Sequence, residues 1–584
     1  MSHETEALQK EIERLKNSLR KQEYGLVWLN VPEAFDDLVE SQIPVLSEVP
    51  DFSIGGDDDF SHLLIEGDNY HTLTCLNFTH KGKIDLIYID PPYNTGSDGF
   101  RYKDKRVLDK FPDGDFVPKD HPLRHSYWLS FMSKRLELAK NLLSNKGAIL
   151  ISINEEEFAQ LKLLCDKIFG AKNYLTMFTI KVRHEERILR GDKDFHEVVE
   201  YLLMYRASSD YEVIKKIYDN TSVDKYVFEI NELNASPEKV MMGSKEVSIF
   251  APGDFEILQG EPDAGKLQKI NIRGTLKEGN SSGRFYMANL KEQAKPGYLY
   301  KVPEMGADKF GYRYFIAPSS QRFRNGNYFQ GVPLDIQDTK AVPYPNYFDF
   351  EEDFNSVGTE GGVDFGGGKK PIAFLKHFIN LSTKNPDAII LDFFGGSGST
   401  AHAVLSMNNE DDGRRQFILC TNNEEWVRGE KIEIMRNICL PRIRNAIADT
   451  PASVNFYKTE FIGTSRIQEI RDDDRLTLAK SASDLLSIAE GTTKFVSLNE
   501  SFAIYTNNLS NKFTGIYFVE DLSDLDEFVQ EISKLKIKGT VYFFSWDDQV
   551  NIDELNELVD VALKPIPEPI LQAYKRIFDP ETYN

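Results

Sequence analysis

The sequence predicts an α/β fold with a mainly parallel, doubly wound sheet, one inserted domain and a small α/β domain at the C-terminal end. Strand and helix patterns alternate between residues 62 and 206 and again between residues 371 and 420. This alternation is typical of βαβ units with helices on both faces of a sheet. Residues 207–345 are rich in Gly, Asn and Lys and lack the alternation, so we expect a separate inserted domain there.

The individual elements follow from hydrophobic periodicity and from turn residues. Residues 84–89 are a largely apolar run that ends at two prolines, which predicts a buried strand. Residues 125–144 have the apolar spacing of a helix, and Gly147 ends that segment. Further strands are predicted at 148–153, 198–205, 388–393, 416–420 and 539–544, and further helices at 155–169, 371–381 and 399–405.

These patterns divide the chain into five segments. They are an N-terminal helical segment (1–50), the first half of the sheet (51–206), the insertion (207–345), the second half (346–450) and a C-terminal α/β domain (451–584). Within the first segment, an apolar heptad seam about two heptads long predicts a helix over residues 4–22. The helix either packs on its own domain or is a short dimerisation element.

The charge of the chain gives a mixed indication about partners. With 69 Lys and Arg against 92 Asp and Glu, the net charge is −23, which argues against a nucleic-acid ligand. Only the charge near a ligand matters, however, and local basic runs lie at 101–106, 181–190 and 313–324. Each of these runs also fits an ordinary solvated surface.

Several classes of protein are excluded by composition. No apolar run approaches the roughly 18 residues of a membrane helix, and the polar start is not a signal peptide. The four cysteines lack metal-ligand spacing, so we expect a reducing cytoplasm and no metal site.

The first chemical motif is a glycine-rich turn at residues 391–400, between a strand and a helix. Glycines let a ligand approach the backbone closely, and a helix N-terminus offers free N–H groups. The third glycine of a dinucleotide fingerprint is missing, and no Gly-Lys-Ser/Thr of a P-loop follows. The turn therefore predicts a nucleotide-type cofactor at the end of a parallel strand, although a plain connecting turn has the same pattern.

The second motif is Asp90-Pro91-Pro92-Tyr93, at the end of a predicted buried strand. An exocyclic amine is a poor nucleophile because its lone pair is delocalised into the ring. A carboxylate at Asp90 and the Pro91 carbonyl can accept hydrogen bonds from the amine and stabilise the positive charge that grows on alkylation. Two prolines fix the backbone, and Tyr93 offers an aromatic face to a base taken out of a duplex. A rigid proline turn is the structural alternative.

Together the two motifs resemble those of the DNA amino-methyltransferases, in which Asp-Pro-Pro-Tyr is motif IV and Phe-x-Gly-x-Gly is motif I. The catalytic motif precedes the cofactor motif here, with a long insertion between them, which is the order of the beta class. The resemblance implies a Rossmann-like S-adenosylmethionine-dependent methyltransferase sheet, an inserted target recognition domain and base flipping. It implies catalytic roles for Asp90, Pro91, Pro92 and Tyr93.

The resemblance also implies a cofactor site and a target-base pocket. Asp68 matches an acid near the cofactor adenine, Lys370-Pro371 matches motif X beside the methionine moiety, and Glu424 matches the ribose-binding acid. The cofactor residues implied by the resemblance are Asp68, Lys370, Pro371, Asp392, Phe394, Gly396, Gly398, Thr400 and Glu424. Asn94 and Tyr201 would line the base pocket. Gly395 departs from the family, which often has Ala there.

More narrowly, the chain resembles the modification (Mod) subunits of type III restriction–modification systems, on residues 24–28, 325–333 and 564–568. This resemblance implies double-stranded DNA as substrate, a homodimer and an ATP-dependent restriction (Res) subunit as partner.

Two alternatives remain beside methylation of adenine N6. Cytosine N4 methylation uses the same chemistry, and Asp at the first motif IV position favours adenine by resemblance only. The second alternative is that the chain recognises the DNA sequence for a restriction complex and has little methylation activity. Cytosine C5 methylation is excluded because it needs a Pro-Cys nucleophile and no cysteine follows a proline.

Overall fold

The structure is a computed structural model of the 584-residue chain. It describes residues 28, 42–55, 60–95, 123–186, 194–219, 222–272, 281–318, 326–334, 339–364, 368–422, 425–427, 430–449, 451–463, 470–546, 550, 552, 555 and 560–578. The chain folds into two compact units. One is formed by Met1–Ile214 with Pro345–Asn584, and the other is Lys215–Tyr344.

The strands of the described residues are numbered in chain order. They are β1 (Ile43–Glu48), β2 (Ser61–Glu66), β3 (Ile84–Ile89), β4 (Leu143–Ile153), β5 (Tyr174–Lys181), β6 (Val199–Arg206), β7 (Lys216–Asp219), β8 (Phe228–Glu232), β9 (Glu238–Met242), β10 (Lys245–Phe250), β11 (Phe255–Gln259), β12 (Gln268–Asn271), β13 (Leu299–Pro303), β14 (Tyr312–Ile316), β15 (Asn327–Gln330), β16 (Thr339–Val342), β17 (Tyr347–Asp349), β18 (Ile389–Asp392), β19 (Gln416–Thr421), β20 (Glu425–Val427), β21 (Glu430–Ile432), β22 (Ser453–Ile462), β23 (Lys494–Leu498), β24 (Phe502–Thr506), β25 (Lys512–Tyr517), β26 (Lys538–Phe544) and β27 (Val561–Ile566).

The helices are numbered in the same way. They are α1 (Asn69–Thr79), α2 (Leu123–Leu142), α3 (Phe158–Cys165), α4 (Ser281–Phe285), α5 (Glu351–Ser356), α6 (Ile372–Ser382), α7 (Ser399–Asp411), α8 (Leu440–Asp449), α9 (Asp472–Ser481), α10 (Ser483–Glu490), α11 (Leu525–Leu535) and α12 (Glu568–Phe578). None of the helices in the described part of the chain combines the length and the hydropathy that crossing a bilayer requires.

The first unit is organised by one ten-stranded sheet. Its strand order is β1-β22-β2-β19-β18-β3-β4-β6-β5-β17. The six strands from β22 to β4 run parallel to their neighbours, whereas β1, β5 and β6 pair antiparallel. The predicted mainly parallel α/β fold is therefore confirmed, with antiparallel pairing confined to the two sides of the sheet.

Most predicted elements lie within a few residues of their observed bounds, and β4 shows the largest difference. The prediction began this strand at residue 148, but it begins at Leu143, directly after α2. Gly147 lies inside the strand, where a Cβ atom would come within 2.8 Å of the Ile84 carbonyl oxygen. The glycine is thus required by the close approach of β3 rather than by a helix end.

The helix predicted over 155–169 is shorter and ends irregularly. The α-helical part is Phe158–Cys165, and Asp166–Gly170 continues it as a π-helical turn. Gly170 then takes a φ of +88°, a conformation that favours glycine and ends the segment.

The C-terminal part of the chain contains a second, smaller sheet in the order β23-β24-β25-β26-β27, packed with α11 on one face. The predicted boundary at residue 451 is one strand too early, because β22 (Ser453–Ile462) inserts between β1 and β2 of the large sheet. The alternating pattern of β22 could not reveal which of the two sheets it joins. The helix predicted over residues 4–22 lies outside the described residues.

The second unit, Lys215–Tyr344, is built mainly from antiparallel strands. Six of them form a sheet in the order β12-β15-β14-β13-β10-β9, and β8–β11 and β7–β16 form two-stranded pairs. Tyr286, Leu290, Val302 and Phe315 belong to a core of its own. In the sequence, this unit lies between β6 and β17 of the large sheet.

Candidate active site

The two chemical motifs lie on neighbouring parallel strands. Leu391 of β18 pairs with Ile87 of β3, although some 300 residues separate them in sequence. Asp90 follows the end of β3, and Asp392 is the last residue of β18. Ligands of doubly wound sheets bind at the carboxyl ends of the strands, so the shared edge is the candidate site.

Asp90 is held by a buried cation and a phenol. The Lys370 ammonium lies 3.1 Å from Asp90 Oδ1, and the Tyr93 hydroxyl lies 2.8 Å from the same oxygen. Burial raises the pKa of the Asp90 carboxyl above its ordinary value, and the Lys370 charge opposes that rise. The arrangement therefore places a positive charge beside a carboxylate that is only partly exposed.

The two proline carbonyls of the motif have different environments. The Trp128 indole on α2 donates to the Pro92 carbonyl over 2.7 Å. Among the described residues, no donor reaches the Pro91 carbonyl. Trp128 thus fixes the turn through one carbonyl, and the other is left to accept a hydrogen bond from a substrate amine.

Tyr93 differs from its predicted role in its exposure. Its side chain is packed in the core of the unit and only 6% of its surface is exposed. Its hydroxyl lies 3.1 Å from Glu200 Oε2 and accepts a hydrogen bond from Lys370. In this conformation the hydroxyl braces Asp90, and stacking on a flipped base would require the ring to become accessible.

Asn94 and Tyr201, predicted to line the base pocket, join two further networks. Asn94 has a φ of +57°, and its amide donates to the buried Glu157 carboxylate over 2.5 Å. His125 contacts the same Glu157 oxygen at 2.7 Å. The Tyr201 ring lies 4.9 Å from the Phe158 ring. No spacing in the sequence singles out Glu157, because its partners lie 63 and 32 residues away.

On the neighbouring strand, Asp392 organises the glycine turn from within. Its carboxylate accepts hydrogen bonds from the Phe394 N–H over 3.0 Å and from the Thr400 hydroxyl over 2.6 Å. Asp392 and Thr400 are both buried. The pair thus joins the end of β18 to the start of α7, and both residues lie beneath the turn that the sequence assigned to the cofactor.

The glycines of this turn have distinct functions. A Cβ atom at Gly395 would collide with Leu419 Cδ2, and one at Gly398 would lie 3.0 Å from Cys439 Sγ. Gly396, with a φ of +46°, would meet nothing nearer than 3.8 Å. Gly395 is therefore required by packing against Leu419, Gly398 is favoured by its φ of +79°, and Gly396 faces open space. The departure from Ala at position 395 has its physical reason in Leu419.

Asp68 lies at the same sheet edge, at the N-terminus of α1. It accepts a hydrogen bond from the Tyr70 N–H over 2.8 Å, which caps the helix. The buried Arg135 guanidinium lies 3.3 Å from the same carboxylate. Asn69, the next residue, donates to the Phe393 carbonyl over 3.1 Å, so this turn is tied to the glycine turn.

Lys370 and Pro371 precede α6, and the helix start is fixed by a network that the sequence did not predict. Glu360 accepts from the Ile372 N–H and pairs with the buried Arg442 at 3.0 Å. Arg442 in turn donates to the hydroxyls of Ser397 and Ser399 over 3.2 and 2.8 Å. These contacts link motif X to the glycine turn. Arg442 lies more than 40 positions from these serines in sequence, so no local pattern indicates the network.

The basic runs are less available than the sequence suggested. Lys181 is surrounded by the carboxylates of Glu185, Asp349 and Glu351. Arg313 is buried in an ion pair with Asp308. The prediction that Arg313 lies on a solvated face is therefore wrong. The run at 101–106 and the predicted ribose ligand Glu424 lie outside the described residues.

The residues at this edge fit a nucleotide-type methyl donor. Gly396 presents backbone with open space around it, and the N-terminus of α7 begins at Gly398 without a side-chain cap. Such a terminus binds a carboxylate or phosphate through free N–H groups. Asp68 adds a partly exposed acceptor on the same edge.

Fold and site together define an α/β enzyme in which a cofactor turn and an amine-binding turn are side by side. The model of the DNA methylase family, which comprises N6 and N4 methyltransferases, matches residues 84–433 and includes both motifs. The chain belongs to this family.

Three curated relatives illustrate the similarity. The StyLTI Mod subunit of Salmonella typhimurium is 32% identical over 62% of this chain and 52% of its own length. The EcoPI Mod subunit of Escherichia phage P1 is 28% identical over 71% and 65%. The type II methyltransferase M.KpnI of Klebsiella pneumoniae is 31% identical over 63% and 82%. The alignments thus span about half to two thirds of the two Mod subunits.

Proposed function

We propose that this protein transfers a methyl group from S-adenosylmethionine to the N6 amino group of adenine in double-stranded DNA. The observation that supports the proposal most is the pairing of β3 with β18, which brings the Asp90 turn beside the glycine turn. Membership of the DNA methylase family and similarity to Mod subunits support the same reaction.

The residues of the site have separable roles in this reaction. Asp90 and the Pro91 carbonyl accept hydrogen bonds from the target amine and stabilise its growing positive charge. The backbone at Gly396 and Gly398, with Asp68 and Phe394, would hold S-adenosylmethionine, which supplies a methyl group on a cationic sulfur. The proton leaves the nitrogen after the transfer, when the nitrogen is cationic and acidic, so no strong general base is needed.

The test is methyl transfer to DNA, read by single-molecule sequencing of DNA from cells that express the chain and by tritium incorporation. We expect methylated adenine in one sequence context and a loss of about 10³-fold in Asp90→Asn, of the size expected when transition-state charge is unsupported. The matched control is Asp85→Asn on the same strand, whose carboxylate accepts a hydrogen bond from the Ile389 N–H, away from the proposed site. That variant should keep its transfer rate within a few-fold.

Each outcome of this test is informative. Methylated cytosine in place of adenine would assign the chain to the N4 reaction. An inactive wild type that still binds DNA specifically would favour the reading subunit of a restriction complex.

We further propose that the insertion, predicted at 207–345 and seen as the unit Lys215–Tyr344, recognises the target sequence. It contains 18 Lys and Arg against 16 Asp and Glu, a net charge of +2, so the negative net charge of the chain (−23) comes entirely from the other residues. A nearly neutral unit approaches the DNA phosphates with less repulsion than the rest of the chain. Exchanging this segment with that of a relative should change the methylated sequence; unchanged sites would refute the assignment.

The expected partners of the chain follow from the proposed role in DNA modification. In a type III system the chain would act on DNA in the cytoplasm, as a homodimer, together with an ATP-dependent restriction subunit. Light scattering and co-purification with that subunit test these assemblies.

A further inference from the structure

The Lys370 ammonium makes more contacts within the protein than we expect of a residue that binds a cofactor. Its side chain is 8% exposed, and its ammonium contacts Asp90 Oδ1 at 3.1 Å, Glu200 Oε2 at 2.9 Å and the Tyr93 hydroxyl at 2.8 Å. An ammonium has three N–H donors. All three are used within the amine-binding turn and strand β6, which leaves none for a cofactor carboxylate.

The same contacts leave one Asp90 oxygen available. Both Lys370 and Tyr93 contact Oδ1, and no donor among the described residues reaches Oδ2. One oxygen is therefore anchored to the protein, and the other can accept a hydrogen bond from a target amine. In a preorganised carboxylate, one oxygen is expected to be held by the protein while the other binds the substrate.

We propose that Lys370 is a positioning residue for methyl transfer, which anchors Asp90 and places a positive charge beside its carboxylate, rather than a ligand of the cofactor. The proposal rests on the proposed function, because it assigns Asp90 the role of holding the target amine. It also replaces the role that motif X implies for this lysine.

The charges around Asp90 explain why a cation is needed. Lys370 and Tyr93 contact each other and Asp90, and Glu200 contacts both of them. Glu200, Tyr88 and Asp392 lie near enough to interact with Asp90 electrostatically. Among the described residues, Lys370 is the cation that contacts Asp90, whereas Arg183 lies 3.8 Å from Glu200. Without Lys370, Asp90 would interact with the Glu200 carboxylate and have no counter-charge in contact within this described part of the chain. Burial already raises the pKa of Asp90, and Glu200 raises it further.

Two substitutions should therefore shift the pH dependence in opposite directions. Lys370→Met removes the charge that lowers the pKa of Asp90, so the acid limb of kcat/KM moves to higher pH. Glu200→Gln removes a charge that raises the pKa, so the limb moves to lower pH. The acid limb of the pH profile of kcat/KM reports the pKa of the essential group in the free enzyme. If either residue had a purely structural role, the acid limb would not shift in opposite directions in the two variants.

The experiment uses the full chain and the DNA site found by sequencing. For Lys370→Met we expect a fall in kcat of about 100-fold, a dissociation constant for S-adenosylmethionine within twofold of wild type by calorimetry, and partial recovery in Lys370→Arg. The matched control is Lys369→Met, which removes a neighbouring buried lysine that donates to the Gly358 carbonyl. It should lower thermal stability without moving the acid limb.

A readout independent of catalysis is the pH dependence of unfolding. In Lys370→Met the folded pKa of Asp90 is raised further. The folded protein therefore loses stability as pH rises through that pKa and the Asp90 carboxyl ionises. The deficit in Tm against wild type should thus grow from pH 5 to pH 8, and shrink when Glu200→Gln is added. An unmoved acid limb, or weakening of S-adenosylmethionine binding by more than tenfold, would overturn the proposal. An inactive wild type would instead refute the proposed function, and the unfolding series would still decide the role of Lys370.

Discussion

The ends of β3 and β18 place two aspartates on neighbouring strands, the partly buried Asp90 and the buried Asp392, and the surroundings of the two differ in kind. Asp90 is paired with the Lys370 ammonium, whereas the donors that reach Asp392 among the described residues are neutral, the Phe394 N–H and the Thr400 hydroxyl. Burial raises the pKa of both, and that of Asp392 rises to about 7. The presence of a counter-charge therefore distinguishes Asp90, which is suited to chemistry, from Asp392, which organises the glycine turn.

The strongest test of this comparison is Asp392→Asn. Because the folded pKa of Asp392 is raised to about 7 from 3.8, its protonated form stabilises the fold at low pH. That contribution is lost as pH rises through about 7, and it amounts to roughly 4 kcal/mol at most. Wild type should therefore lose stability relative to Asp392→Asn between pH 5 and pH 8, as measured by urea unfolding. A difference independent of pH would mean that the pKa of Asp392 is not raised by folding.

The next test concerns the packing beneath the glycine turn. In Gly395→Ala the new methyl group would collide with Leu419, and overpacking of this kind costs about 1–3 kcal/mol. Adding Leu419→Ala provides the space, so the double variant should lose less stability than the sum of the two single variants. Additive losses in denaturant unfolding would show that Leu419 can move aside without cost.

The smallest expected effect is at the turn after β3. Trp128→Phe keeps the ring in the core but removes the donor to the Pro92 carbonyl. The loss of one hydrogen bond should lower the free energy of unfolding by about 1 kcal/mol. Methyl transfer should fall less than tenfold, because Asp90 keeps its own contacts with Lys370 and Tyr93. A loss as large as that of Asp90→Asn would place Trp128 in the chemistry itself.

Much of the fold was predictable because its signals are local. The apolar run of β3 and the periodicity of α2 are read from neighbouring residues, and both elements lie near their predicted bounds. The exceptions are set by distant contacts. Gly147 lies within β4 because β3 approaches it closely, and β22 joins the large sheet although its sequence pattern fits either sheet.

The site divides in the same way. The sequence by itself determined the two motifs, their order and the chemistry that Asp90 and the glycine turn can support, because these depend on residue types that are adjacent in the chain. Only the tertiary structure decided that Lys370 and Glu200 converge on Asp90, that Tyr93 is buried, and that Arg442 ties the glycine turn to α6. These contacts join residues tens to hundreds of positions apart, and their energy comes from burial and charge, which no local pattern records.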